Sequence, residues 1–170
     1  MTAPNPAPNT VLLIRHGEKP DDDTDPNLSA KGWQRACSIT KTLPDLVPTG
    51  VPAISAVVAT APSPHSVRPI ETVTPISLIR ALPLAHTIAD DDVAQVPALL
   101  SGAPYTGATV LICWHHGKLP ELALALGAPA DQVPKKWEGD DFHTVWILRY
   151  EADGSVSFTI TRQPHLEAVA

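Results

Sequence analysis

The chain is poor in cysteine, carries no basic excess and contains no long apolar run. Its two cysteines, Cys37 and Cys113, lie far apart, one in a helical pattern and one in a strand pattern. That spacing gives no disulfide framework and no close thiol pair for a metal, and both thiols are expected to be buried and free. Lysine and arginine total 12 against 18 aspartates and glutamates, a formal charge of -6. A nucleic-acid backbone would need a basic face, so nucleic acid is excluded as a partner. No apolar stretch reaches the length of a membrane span, which excludes a spanning helix. Residues 1–9, with three prolines and two asparagines, lack the basic start and apolar centre of a signal peptide. They are expected to form a flexible tail, and the expected location is cytoplasmic.

What is present is a regular alternation. With 170 residues, one domain over 10–165 is the simplest organisation, followed by a short tail at 166–170. Val11 to Ile14 is continuously apolar, as in a strand covered on both faces. Ser29 can cap a helix that carries Trp33, Ala36, Ile39 and Leu43 at spacings of three and four, weakened by Gly32 and stopped by Pro44. A strand over Ala53–Thr60 precedes a helix through Val67, Ile70 and Val73, which Pro75 ends or kinks. A short strand is expected near Pro83–Ala85, and a helix opening at Asp91 or Asp92 runs through Val96 and Leu100. Thr109–Trp114 reads as a second covered strand. A helix from Leu119 to Leu126 follows, with Pro120 in its first turn and Gly127 at its end. Thr144–Tyr150 and Val156–Thr161 form a hairpin. Strands alternating with helices indicate an α/β domain with an antiparallel edge.

The acidic runs Asp21–Asp23 and Asp90–Asp92 read as solvated loops. Their field repels anions, so any phosphate pocket must be made positive locally. Two apolar runs supply suitable groups where they stop. Arg15 and His16 follow the first, and His115 and His116 follow the second. Phosphoryl transfer needs an in-line nucleophile and positive groups around the equatorial oxygens. His16 could be that nucleophile if one ring nitrogen donates to a main-chain carbonyl and the other keeps its lone pair. Gly17 permits close approach of ligand or main chain. Arg15 and Arg68 could each grip phosphate oxygens through two donors.

Leu13-Ile14-Arg15-His16-Gly17-Glu18 resembles the nucleophile motif of the histidine phosphatase superfamily, which includes the phosphoglycerate mutases and small phosphohistidine phosphatases. Leu28 to Ala36 is similar to the family's first-helix segment. Thr60-Ala61-Pro62 with Arg68 and Thr72 resembles its second-arginine segment, and Val110 to His115 the strand ending in its second histidine. The resemblance spans roughly residues 11 to 150 in the family's order. It implies a three-layer αβα sandwich with a mostly parallel central sheet. It also implies a phosphohistidine intermediate on His16, with Arg15, Arg68 and His115 binding the phosphoryl group and no metal or cofactor required. In one family branch a proline stands five positions after the second histidine. Pro120 meets that spacing from His115, which leaves His116, with Gly17, Glu18 and Lys19, as substrate contacts.

The family's leaving-group acid has no sharp match here; Glu71, Asp90 and Asp91 are the candidates, and Glu18 alone does not replace it. Without an acid, substrates with good leaving groups are favoured, such as phosphohistidine or phosphoramidates. The expected partner is a small phosphorylated molecule or a phosphoprotein, and the oligomeric state is open. The leading expectation is a metal-independent phosphatase. A non-catalytic phosphate-binding or interaction protein is the alternative. A phosphoglycerate mutase is disfavoured by the short segment between Arg68 and His115, which leaves little room for a cover that excludes water. A metallohydrolase using His16, His115 and nearby aspartates is a further, weaker reading.

Overall fold

The computed structural model describes residues 8–164. Six strands form one sheet: β1 (Thr10–Arg15), β2 (Ile54–Ala59), β3 (Leu84–Ala85), β4 (Thr109–Trp114), β5 (Thr144–Tyr150) and β6 (Val156–Arg162), in the spatial order β3-β2-β4-β1-β5-β6. The first four are parallel, β5 runs antiparallel to β1, and β6 completes the hairpin with β5. The helices are α1 (Ala30–Leu46), α2 (Arg68–Ile79), α3 (Val96–Leu100) and α4 (Leu119–Ala125).

Alternation along the strands sorts the core into two layers. Leu12 and Ile14 pack with Ile39 and Leu43 of α1 and Val73 and Ile76 of α2. Val11 and Leu13 face the other way, against Val96 and Leu100 of α3 and Leu119 and Leu122 of α4. Helices therefore cover both faces, and this three-layer arrangement explains why β1 and β4 are buried at every position.

Several local expectations are corrected. Pro44 does not stop α1, which continues to Leu46. Proline cannot donate to the carbonyl four residues back, and the guanidinium of Arg80, which caps the end of α2, serves the Thr40 oxygen instead, with Nη2 at 3.1 Å. Pro75 likewise lies inside α2 and does not end it. The helix expected from Asp91 or Asp92 is a 3-10 turn over Val93–Gln95 that passes into α3, with Pro97 in the first turn of the α-helical part. Cys37 is exposed, whereas Cys113 is buried, because Cys37 falls off the apolar stripe of α1. Within the expected tail, Pro8 is buried, and the Asn9 amide donates to the Ala108 carbonyl at 2.8 Å. Residues 1–7 and the expected tail at 166–170 lie outside the described residues. Among the described residues, no helix is long and apolar enough to cross a membrane.

Candidate active site

The parallel register of β1 and β4 pairs Ile14 with Cys113 and Arg15 with Trp114. The next residues, His16 and His115, therefore leave the sheet side by side. The His16 amide extends the ladder by donating to the Trp114 carbonyl at 3.2 Å. The two imidazoles meet edge to face with centroids 5.2 Å apart. Main-chain pairing thus sets their separation.

His16 is 4% exposed, and its Nδ1 lies 2.7 Å from the Gly17 carbonyl oxygen. A carbonyl can only accept, so Nδ1 carries the hydrogen and Nε2 keeps the lone pair. Burial pushes the imidazole down to about 3. The Gly17 bond opposes that shift, and the charges of Arg15, His115 and Arg68 add to it. His115 is lowered to about 4 by burial and then by Arg68, His116 and Arg15. The four expected phosphate-site groups therefore act on one another electrostatically, and both rings are neutral at physiological pH.

The arginines come from different elements. Arg15, at the end of β1, is 5% exposed, and burial lowers it to about 10. Its Nη1 donates to the Gly139 carbonyl at 2.5 Å, and its guanidinium carbon lies 4.0 Å from the centroid of the Phe142 ring. Arg68 opens α2, where Nη1 donates to the Asp25 carbonyl at 2.8 Å and Nη2 to His65 at 3.3 Å. The Nε atoms of Arg15 and Arg68 are both buried without a hydrogen-bond partner among the described residues. Buried donors of this kind call for an acceptor, and a tetrahedral oxyanion offers several. Thr72 ties the two halves together. Its hydroxyl donates to the Arg68 carbonyl and accepts from the Gly17 amide, each at 2.8 Å.

The remaining expected residues have other surroundings. Gly17 meets α1: a Cβ there would lie 3.0 Å from the Gly32 oxygen. Glu18 is buried and pairs bidentately with Arg35, through Nε at 2.9 Å and Nη2 at 2.6 Å. Burial would raise the Glu18 carboxyl, but Arg35 outweighs it and holds the group below the usual range. Lys19 pairs with Asp23 at 2.5 Å in solvent. His116 is half-buried and lowered by burial, then by Arg15, Lys136 and Lys19. Of the acid candidates, the Glu71 carboxylate accepts from the Leu28 amide at 2.7 Å, and exposed Asp91 pairs with Lys118 at 2.9 Å. Asp90 differs. Its Oδ1 is buried without a partner among the described residues, and burial, followed by Asp91, raises its carboxyl. The Trp114 indole donates to the Asp90 carbonyl at 3.2 Å, tying this loop to the residue before His115. Among the described residues, no three His, Cys, Asp or Glu side chains form a metal-holding group.

Sequence reasoning missed Arg35 and the 138–142 segment as parts of the site. Arg35 left a signal, because it interrupts the apolar stripe formed by Gly32, Ala36, Ile39 and Leu43. A charge on a core-facing stripe requires a buried partner. The 138–142 segment left none. Trp137 is 3% exposed and packs against Trp146 with ring centroids 4.6 Å apart. It thereby anchors the start of that segment in the core.

No family model matches the chain, and no curated protein matches it in sequence. Solved structures match it in fold. The protein histidine phosphatase SixA complexed with tungstate gives a TM-score of 0.61 at 20% identity, over 91% of this chain and 96% of that one. Phosphoglycerate mutase from Plasmodium falciparum gives 0.59 at 16% identity, over 96% and 98%. A mycobacterial glucosyl-3-phosphoglycerate phosphatase in complex with inorganic phosphate gives 0.58 at 15% identity, over 90% and 95%. The chain has the α/β three-layer, phosphoglycerate mutase-like fold.

Proposed function

We propose that this chain is a phosphatase of the histidine phosphatase superfamily. It hydrolyses a phosphomonoester or a phosphohistidine-like phosphoramidate through a covalent phosphohistidine on His16, with no metal required. The observation that carries the reading is the His16 ring: neutral, with Nδ1–H engaged by the Gly17 carbonyl and Nε2 unprotonated. The unpartnered Nε groups of Arg15 and Arg68 support it, as does the fold shared with a protein histidine phosphatase.

In the first step the Nε2 lone pair attacks phosphorus. The bond from phosphorus to the leaving oxygen or nitrogen breaks, and its electron pair goes to that atom, which takes up a proton. In the second step water attacks the phosphoryl group, the P–Nε2 bond breaks, and inorganic phosphate departs. Arg15, Arg68 and His115 hold the three non-bridging oxygens as charge redistributes. Asp90 is the acid candidate because burial keeps its proton on to higher pH. Asp90→Asn is expected to slow an alkyl phosphate by about 100-fold or more while sparing a phosphoramidate, whose nitrogen leaves readily once protonated.

Labelling with a phosphodonor tests the reading. The bound phosphoryl should be lost in acid and survive base, and His16→Ala should neither label nor turn over. Turnover that persists in His16→Ala overturns it. Phosphate binding without labelling or turnover of any phosphorylated compound would establish a binding protein instead.

A further inference from the structure

Arg15 reaches the site by an unusual route. As the last residue of β1 it is held at the backbone by the sheet, yet among the described residues its guanidinium has no carboxylate partner within salt-bridge distance. Nη1 is spent on the Gly139 carbonyl, with the Glu138 oxygen further off at 3.5 Å. The Phe142 ring lies 4.0 Å from the guanidinium carbon of Arg15 and 5.8 Å from that of Arg35. Both distances fall within the range in which an aromatic face attracts a cation. Arg35 is itself immobilised by its two bonds to Glu18.

The ring is fixed from behind. The Asp141 carboxylate accepts from the His143 and Thr144 amides at 2.9 and 3.0 Å and from the Thr144 hydroxyl at 2.6 Å. The Trp137 indole donates to the Asp141 carbonyl at 3.0 Å. Phe142 therefore sits in a closed turn at the head of β5, next to β1 in the sheet.

We infer that Phe142 is a positioning residue for oxyanion binding, its ring face setting the plane of the Arg15 guanidinium so that the donors left over by Gly139 converge on the phosphoryl group. This deepens the phosphatase reading and rests on it for the identity of the anion. A carboxylate in the same place would hold Arg15 more strongly but would compete with phosphate for its donors and cancel its charge. An aromatic face attracts the cation and accepts none of the in-plane N–H groups. The arrangement thus keeps a buried arginine charged, oriented and available.

The test is calorimetric titration of the full chain with inorganic phosphate, together with steady-state kinetics on a phosphoramidate. Phe142→Leu removes the ring, Phe142→Met keeps nearly the same volume without a π face, and Phe142→Tyr keeps the face. Phe142→Leu and Phe142→Met are expected to bind phosphate about tenfold more weakly, the scale of one desolvated cation–π contact. KM should rise more than kcat falls, and Phe142→Tyr should stay within about twofold of the parent. Thermal unfolding identifies any variant that does not fold, and the other variants then decide. Parent-like phosphate affinity in folded Phe142→Leu or Phe142→Met overturns the inference, as does equal weakening in Phe142→Tyr. A parent chain that binds phosphate but never turns over defeats the phosphatase reading and leaves the positioning role testable by binding. A parent that binds no phosphate overturns both.

Discussion

At the scale of the residue, the proposed chemistry turns on where one hydrogen sits. The Gly17 carbonyl takes the Nδ1 hydrogen of His16, and burial among positive groups keeps a second proton off. A histidine in water would be half protonated near pH 6.5 and would lose its nucleophilic lone pair below that. Here His16 and His115 are lowered to about 3 and 4. In an NMR titration of the free protein, their ring signals should therefore stay at the neutral position from pH 7 to 5. An inflection near 6.5 at His16 would contradict the site as described. Arg68 gives a second prediction. Its Nη groups are held by the Asp25 and His65 carbonyls while Nε is left over. Arg68→Ala should lower kcat/KM by about 100-fold, as loss of one oxyanion donor does elsewhere. Arg68→Lys should not restore it, because an ammonium cannot bond two carbonyls and phosphate in one plane. Steady-state kinetics on the three proteins checks this.

At the scale of the element, Gly32 shows why a propensity argument can reverse. In an exposed helix Gly32→Ala would stabilise by about 1 kcal/mol. In α1 the new Cβ would lie 2.4 Å from the Glu18 oxygen, a main-chain atom that cannot step aside. That carbonyl also accepts from the Ser29 amide at 2.9 Å, so any shift disturbs the cap of α1 and the loop carrying His16. Gly32→Ala is expected to destabilise by about 1–3 kcal/mol, in the manner of an overpacked core, measured by urea unfolding. The same reasoning explains Pro44. A proline ends a helix when the freed carbonyl has no substitute donor, and Arg80, just past the end of α2, is that donor here. The sequence contains both residues but does not say that they meet.

At the scale of the whole molecule, the buried ionisable groups set an acid limit on stability. His16 and His115 have folded pKa values below the unfolded 6.5. As pH falls from about 6.5 towards 4 the unfolded chain takes up protons that the folded one refuses, so stability declines. Glu18 is held low by Arg35, and its contribution, present above the unfolded value near 4.5, is lost further down. Asp90 is shifted upward and opposes the trend as a single group. The unfolding midpoint in urea should therefore fall progressively from pH 7 to 4, and a midpoint that rose would contradict this balance. Much of the fold was legible beforehand. Continuous apolar runs at 11–14 and 110–114 read as strands covered on both faces, and Ser29 caps its helix as its side chain allows, accepting from Gly32 at 3.0 Å. Local patterns of that kind depend on solvent exposure and backbone geometry, which the order of residues encodes. By itself the sequence determined the alternating α/β architecture and the places where charged groups leave the strands. Only tertiary structure decided that β4 lies beside β1 and so sets His16 against His115, that Glu18 is spent on Arg35, and that Phe142 comes to rest on Arg15. Those outcomes follow from strand order and from loops meeting in space, and no spacing along the chain names the partners.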